Sequence, residues 1–314
     1  MGGLVQELAE LRALITRHAA AGETTPADGV VQTAIDGVLL SSVTENVEAV
    51  APTSTTVFAV IAQGAKRLAV GERVYEYRAG QYLVASLDLP LTGSHWYASE
   101  REPALGFGLV LEPSAVASVL LDAADQGAPP TGRRAPSGPA PPALGVADAS
   151  TDLLDAVVRI LRLLDSPRDR DVLAPLIKRE ILWRLITGPV GETVRQLGLA
   201  DSDLAYISRA VRRITAHYSE PFRVDDLARS CGMSTSAFHR HFQAATGFSP
   251  IQFQKQIRLQ RSRLMLMTGE GDVATIGYRV GYDSASQFSR EYSRHFGRPP
   301  GRDAARLRAE ATLA

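Results

Sequence analysis

The sequence predicts an α+β chain of more than one domain, with a β-rich barrel or sandwich first and an all-helical domain last. Three observations predict it. Between about Val30 and Leu111 the apolar residues come in short, β-branched runs separated by turn residues, the period of strands. After residue 204 one helical pattern is written twice. The charge divides at the same place: residues 204–314 hold 17 Lys and Arg against 9 Asp and Glu, so residues 1–203 hold 17 against 25, although the whole chain balances at 34 against 34. A basic end attracts phosphate and an acidic end does not, which confines any nucleic-acid surface to the last part of the chain.

The first stretch, Met1 to Gly22, places Leu4, Leu8, Leu11 and Ile15 at steps of four and three, an amphipathic helix that buries its stripe on its own domain or against a second copy. Glu7, Glu10, Arg12 and Arg17 interrupt it, so it is no signal peptide. No run of eighteen apolar residues occurs, and the expected location is the cytoplasm, with no membrane partner. The run Thr55 to Gln63 is too apolar for a half-exposed strand. Lys66–Val70 and Arg73–Tyr77 flank Gly71-Glu72 as a two-residue hairpin, and strands follow over Tyr82–Ser86, Thr92–Tyr97 and Ala104–Leu111. Gly127 to Pro142 holds six prolines around Arg133-Arg134 and reads as a linker or insertion. Two helices follow, Thr151–Leu164 and Asp171–Thr187, the second with Leu176, Ile177, Ile181 and Leu185 on one side and Gly188-Pro189 ending it. Leu204–Tyr218 leads into the repeat.

In the repeat, Leu227, Ala228, Cys231 and Gly232 recur 49 residues later as Ile276, Gly277, Val280 and Gly281, while Phe238, Phe242, Gly247 and Pro250 recur 50 later as Phe288, Tyr292, Gly297 and Pro300. Each copy is a short helix, a glycine turn and a second helix, and the second turn is one residue longer. Small residues at Ala228 and Gly277 allow the two helices to cross closely. Phe238 and Phe242 share one stripe, which leaves Ser236, His239 and Arg240 on other faces. Pro250 to about Met267 is one helix that would fix the separation of the two copies. The lone cysteine, Cys231, lies on an inner face as an apolar filler and excludes an intramolecular disulfide.

Two helix-turn-helix units joined by a helix resemble the DNA-binding domain of the AraC/XylS family of transcription regulators, over residues 204–314. The chain departs from that family after Pro299-Pro300, where Gly301-Arg302-Asp303-Ala304 replaces an aromatic residue followed by Arg. The strand region, with Gln63-Gly-Ala-Lys-Arg, Tyr77-Arg-Ala-Gly-Gln-Tyr, Ser86-Leu-Asp-Leu-Pro and Glu112-Pro-Ser, is similar to the cupin-like N-terminal domain of one branch of the same family. The resemblance implies four segments: a helix and cupin-like sensing barrel over 1–125, a Pro-rich linker over 126–147, a helical and possibly dimerising segment over 148–203, and the double helix-turn-helix over 204–314. It implies a regulator, monomeric or homodimeric, whose partners are duplex DNA, a small organic effector and RNA polymerase.

The same resemblance places base contacts at Ser236, His239 and Arg240 in the first unit and at Ser286, Gln287, Ser289 and Arg290 in the second. A guanidinium reads guanine O6 and N7 together, and Gln does the same for adenine. Gln287 lies three residues after Ser284, so a capping box is the rival reading. Ser234, Ser284, Arg258 and Arg294 are assigned to phosphate, with simple solvation as the alternative for Arg258 and Arg294. His241 and His295 are expected to face solvent or phosphate. In the barrel, Phe58, Tyr82, His95, Trp96 and Phe107 are candidates for an effector pocket or for core. Cupin enzymes hold a metal with clustered histidines, whereas His95 stands alone in its region, and no nucleophile elbow, phosphate loop or paired-Cys motif occurs. No metal, no cofactor and no catalysis are expected. The alternatives to an effector-controlled regulator are an effector-free DNA-binding protein whose barrel only oligomerises, and a cupin enzyme fused to a DNA-binding domain.

Overall fold

The computed structural model describes residues 2–20, 24–25, 30–45, 56–70, 73–90, 93–99, 101–125, 140–199 and 202–313. In chain order the elements are α1 (Gly2–Ala19), β1 (Thr24–Thr25), β2 (Val30–Gln32), β3 (Val38–Val43), β4 (Val57–Gln63), β5 (Ala65–Val70), β6 (Arg73–Arg78), β7 (Gln81–Ala85), β8 (Gly93–Tyr97), β9 (Ala104–Val110), α2 (Pro113–Asp125), β10 (Leu144–Asp148), α3 (Thr151–Arg162), a 3₁₀ turn (Leu163–Asp165), α4 (Pro167–Thr187), α5 (Gly191–Gly198), α6 (Asp203–Ala216), α7 (Val224–Ser230), α8 (Thr235–Thr246), α9 (Pro250–Thr268), α10 (Val273–Arg279), α11 (Ala285–Phe296) and α12 (Pro300–Leu313). They form two compact units, residues 1–208 with 244–247, and residues 209–243 with 248–314. The division falls inside α6, whereas the sequence placed it just before that helix. Among the described residues no helix is long and apolar enough to cross a membrane.

The first unit carries two antiparallel sheets, one ordered β1-β2-β3-β9-β4-β7-β10 and the other β6-β5-β8. β4 lies between β9 and β7, and its side chains on both faces are buried or half-buried, which is why Val57–Gln63 reads as nearly continuously apolar. The chain passes from the first sheet to the second at Gly64. Its φ is +76°, and a Cβ there would lie 2.7 Å from the Tyr97 carbonyl oxygen and 2.9 Å from the Ala104 Cβ. Only glycine permits both the turn and the approach. β5 and β6 pair in the register Val70↔Arg73, so the hairpin arms are as expected, while the turn at Gly71-Glu72 lies outside the described residues.

One apolar core joins these strands to the helices. Leu8, Leu11 and Ile15 of α1, Val38 and Leu40 of β3, Phe58 and Val60 of β4, Leu154, Val157 and Leu161 of α3, Ile181 and Leu185 of α4 and Val194 of α5 belong to the same buried cluster. α1 therefore spends its stripe on its own unit, and Arg162 of α3 clasps Glu10 with two bonds of 2.7 and 2.8 Å. One expectation is corrected here. Residues 144–147 are not linker but belong to strand β10, paired along its length with β7, and the helices of the segment 148–203 share the core of the strands. Of the linker's other residues, 126–139 lie outside the described residues. α4 begins earlier than expected, with Pro167 in its first turn, and Leu176 is exposed, off the buried stripe of Ile177, Ile181 and Leu185.

In the second unit the repeat is literal. α10 follows α7 at 49 residues, and α11 and α12 follow α8 and α9 at 50, so α12 is a shorter copy of the long helix, again started by proline.

Candidate nucleic-acid interface

Each helix-turn-helix is closed by the same bonds. In the first, Gly232 turns the chain at φ +66° and the Met233 N–H donates to the Ala228 carbonyl at 3.0 Å; in the second, Gly281 turns it at φ +95° and the Tyr282 N–H donates to the Gly277 carbonyl at 3.0 Å. The small residue is required where the helices cross. A Cβ on Gly277 would meet the Phe288 ring and Cβ at 3.0–3.2 Å, and Ala228, the matching residue, is buried. Beneath α8, the Phe238 and Phe242 rings lie 5.5 Å apart, with Phe253 of α9 another 5.5 Å on. Phe288 and Tyr292 lie 5.6 Å apart. These rings set the azimuth of each helix, and so decide what faces outward.

The expected base readers fall on equivalent faces. Ser236 and Arg240 of α8 are exposed and His239 is half-buried; fifty residues on, Ser286 and Arg290 of α11 are exposed and Ser289 is half-buried. Neither Arg240 nor Arg290 makes a hydrogen bond or ion pair within the described residues, so both forks are available. Gln287 is exposed and donates to Glu291 at 3.4 Å. Ser284 accepts from the Gln287 N–H at 3.4 Å, and the Gln287 side chain points along the helix, so only half of the capping box forms. The complete capping box is at the start of α9, between Ser249 and Gln252, where no expectation placed one. Ser234 caps α8 through the Ala237 N–H at 3.3 Å and remains exposed, as does Arg294.

Three expectations fail. Arg258 does not face phosphate: its Nε donates to the Tyr218 carbonyl, its Nη1 to that of Gly281 and its Nη2 to that of Ser219, so the guanidinium is a strut inside the unit. His241 is 8% exposed and does not face solvent. His295 is half-buried and lies ring to ring with Phe296 at 4.4 Å, and burial, with the Arg263 and Lys255 charges nearby, pulls its pKa down to about 4, so it brings no positive charge to a phosphate at pH 7.

One group was missed altogether. Asp303, in the stretch that departs from the family pattern, is 1% exposed and accepts from Arg263 Nε and the Tyr292 hydroxyl at 2.9 Å each and from Arg306 at 3.1 Å. Burial alone would raise its pKa; the bonds from Arg263, Tyr292 and Arg306 hold it below its ordinary value of 3.8. Arg263 also stands over the Phe296 ring at 4.5 Å. This network ties α9, α11 and α12 together. Its only sequence signal is an acidic residue in the first turn of a proline-started helix.

In the first unit the structure places three of the effector candidates, Phe58, Tyr82 and Phe107, inside the core. Phe58 meets Tyr82 at 5.5 Å and Phe107 at 6.1 Å, both edge to face, and all three are at most 1% exposed. They pack against one another, and the Tyr82 hydroxyl reaches the end of α4, where a Cβ on Gly188 would meet it at 3.4 Å. The side chains of His95 and Trp96 lie outside the described residues. Among the described residues no group of three or more His, Cys, Asp and Glu could hold a metal ion.

Residues 34–193, just over half of the chain, match the family described as AraC-type transcriptional regulator N-terminus, and residues 227–306 match a helix-turn-helix domain. The chain belongs to the AraC family of transcriptional regulators. Among relatives in that family, an uncharacterized HTH-type transcriptional regulator, YdeC, of Bacillus subtilis is 25% identical over 142 residues, covering 44% of this chain and 47% of that protein. The HTH-type transcriptional regulator AlkR of Acinetobacter baylyi is 33% identical over 84 residues, 27% of this chain and 28% of that protein. The chain thus spans less than half the length of these two relatives. The crystal structure of ToxT from Vibrio cholerae O395 bound to (E)-4-(8-methylnaphthalen-1-yl)but-3-enoic acid is similar over 86% of this chain and 98% of that one, with 12% identity and a TM-score of 0.50, a likeness of fold.

Proposed function

We propose that this AraC-family protein is a cytoplasmic, sequence-specific transcription regulator that reads duplex DNA with α8 and α11. The observation that carries the reading is the matched pair of faces: the same outward positions, fifty residues apart, hold Ser236 and Arg240 on one helix and Ser286 and Arg290 on the other, each set over a packed aromatic stripe. Selection of bound duplexes from a random pool by the full chain should yield two short blocks about one helical turn, 34 Å, apart, with affinity falling steeply as salt rises. Equal affinity for selected and random duplex would end the reading.

For the first unit we propose control by a small organic molecule, with dimerisation through α4. On α4, Val172, Leu176 and Trp183 stand at steps of four and seven and are 69%, 60% and 40% exposed, an uncovered apolar stripe on a helix whose other side, through Ile177, Ile181 and Leu185, is buried in the core. Leu176→Glu should convert a dimer into a monomer in light scattering at micromolar concentration; a wild-type chain that is already monomeric there removes the proposal. The packed trio Phe58, Tyr82 and Phe107 favours a second reading, in which this unit only oligomerises. Mass spectrometry of organic extracts of the purified chain separates the two. A stoichiometric small molecule supports control by an effector, and its absence from protein made in the native host supports the second.

A further inference from the structure

We infer that Arg258 sets the phase between the two recognition helices and so determines which spacing of DNA blocks the protein accepts, an inference that rests on the DNA-reading role proposed above. All three guanidinium nitrogens are bonded to main-chain carbonyls: Nε to Tyr218 at 2.7 Å, Nη1 to Gly281 at 2.7 Å and Nη2 to Ser219 at 3.1 Å. Tyr218 and Ser219 lie in the segment between α6 and α7, which delivers the first helix-turn-helix. Gly281 is the turn of the second. A planar fork with fixed donor directions therefore holds backbone of one reading unit against backbone of the other. The approach is close enough that a Cβ on Gly281 would lie 2.2 Å from the Ser219 carbonyl oxygen and 2.8 Å from the Arg258 Cζ.

The same helix adds a grip on each side. One turn before Arg258, Gln254 donates to the Glu220 carbonyl at 2.6 Å, and Lys255 pairs with Glu291 of α11 at 3.0 Å. Apolar packing of α9 through Phe253, Leu259 and Leu266 is non-directional and tolerates small rotations. The carbonyl bonds do not. Arg258 is thus a positioning residue. It touches no base, and its effect on recognition runs through the angle and separation of α8 and α11.

The test uses the full chain and the duplex it selects from a random pool, remade with one base pair inserted between the two blocks. The insertion rotates the second block by about 34° and shifts it by about 3.4 Å. Wild type should lose about tenfold or more in affinity, because one block is misplaced. Arg258→Gln should bind the original duplex more weakly yet lose less than about threefold on insertion, since compliant units re-phase. Arg258→Lys, which keeps the charge without the fork, should fall between. In parallel and without DNA, spin labels at Ser236→Cys and Ser286→Cys, equivalent exposed positions on the two helices, should give one narrow distance in wild type and a broadened one in Arg258→Gln. If that variant does not fold, Arg258→Lys carries both measurements. A folded variant with the wild-type insertion loss and an unchanged distance distribution overturns the inference. A wild-type chain that selects no sequence sinks the DNA-reading role instead, and the label distances still decide what Arg258 does.

Discussion

Replacing Asp303 by Ala is expected to destabilise the second reading unit by about 3–5 kcal/mol, because it leaves the buried Arg263 guanidinium without its carboxylate. The Tyr292 hydroxyl loses its acceptor in the same step. The damage should be local: α11 and α12 should lose amide protection in native-state hydrogen exchange while α7 and α8 keep theirs. Hydrogen exchange is the appropriate probe, since both tryptophans, Trp96 and Trp183, lie in the first unit and are blind to this event. The pH dependence carries a definite sign. Asp303 titrates below its ordinary value of 3.8 when folded, so its contribution is present above that value and is lost as pH falls through the folded pKa. Asp303→Asn, which keeps the shape, should be less destabilised than Asp303→Ala and should lose that acid-dependent component. Unchanged protection of α11 in Asp303→Ala would show that apolar packing alone holds the helix.

The repeat makes most of the second unit legible in the sequence alone. Offsets of 49 and 50 residues locate equivalent helices, and the Phe238/Phe242 stripe fixes which side is inside, so Arg240 and Arg290 fall outward with no further information. The same logic fails on α9, because that helix is covered on more than one side by the two units it joins. Gln254, Gln260, Ser262 and Arg263 are all buried there, and a polar residue on such a helix is not thereby a surface residue. Arg258 and Asp303 escaped for a related reason: their partners, carbonyls at residues 218, 219 and 281 and a guanidinium at 263, are distant in sequence. In the first unit, alternation placed Phe58, Tyr82 and Phe107 on strands, but a ring that lines a cavity and a ring that fills one have the same period. Strand β10 was hidden because it follows directly on the proline-rich stretch, and its pairing with β7 is set some sixty residues away.

Arg240→Ala and Arg290→Ala should each remove a bidentate base contact, costing about 1–3 kcal/mol and relaxing the preference at one base pair in one block only. The two sites sit on separate helices with no shared partner among the described residues, so the double variant should lose about 2–6 kcal/mol, close to the sum. Arg294, exposed at the end of α11, supplies the contrast. Arg294→Ala should weaken all sequences alike and lower the salt dependence by about one counterion. Arg258→Ala is no longer a control of that kind, since its guanidinium is spent on carbonyls within the unit. Binding measured against a library of operator variants distinguishes these outcomes, because a lost base contact changes the ranking of sequences and a lost phosphate contact does not. Should Arg240→Ala and Arg290→Ala lower affinity uniformly, with no position losing its preference, the two arginines are phosphate clamps. Base reading would then pass to Ser236 and His239 on α8 and to Ser286 and Gln287 on α11, polar side chains that the aromatic stripes leave at or near the surface.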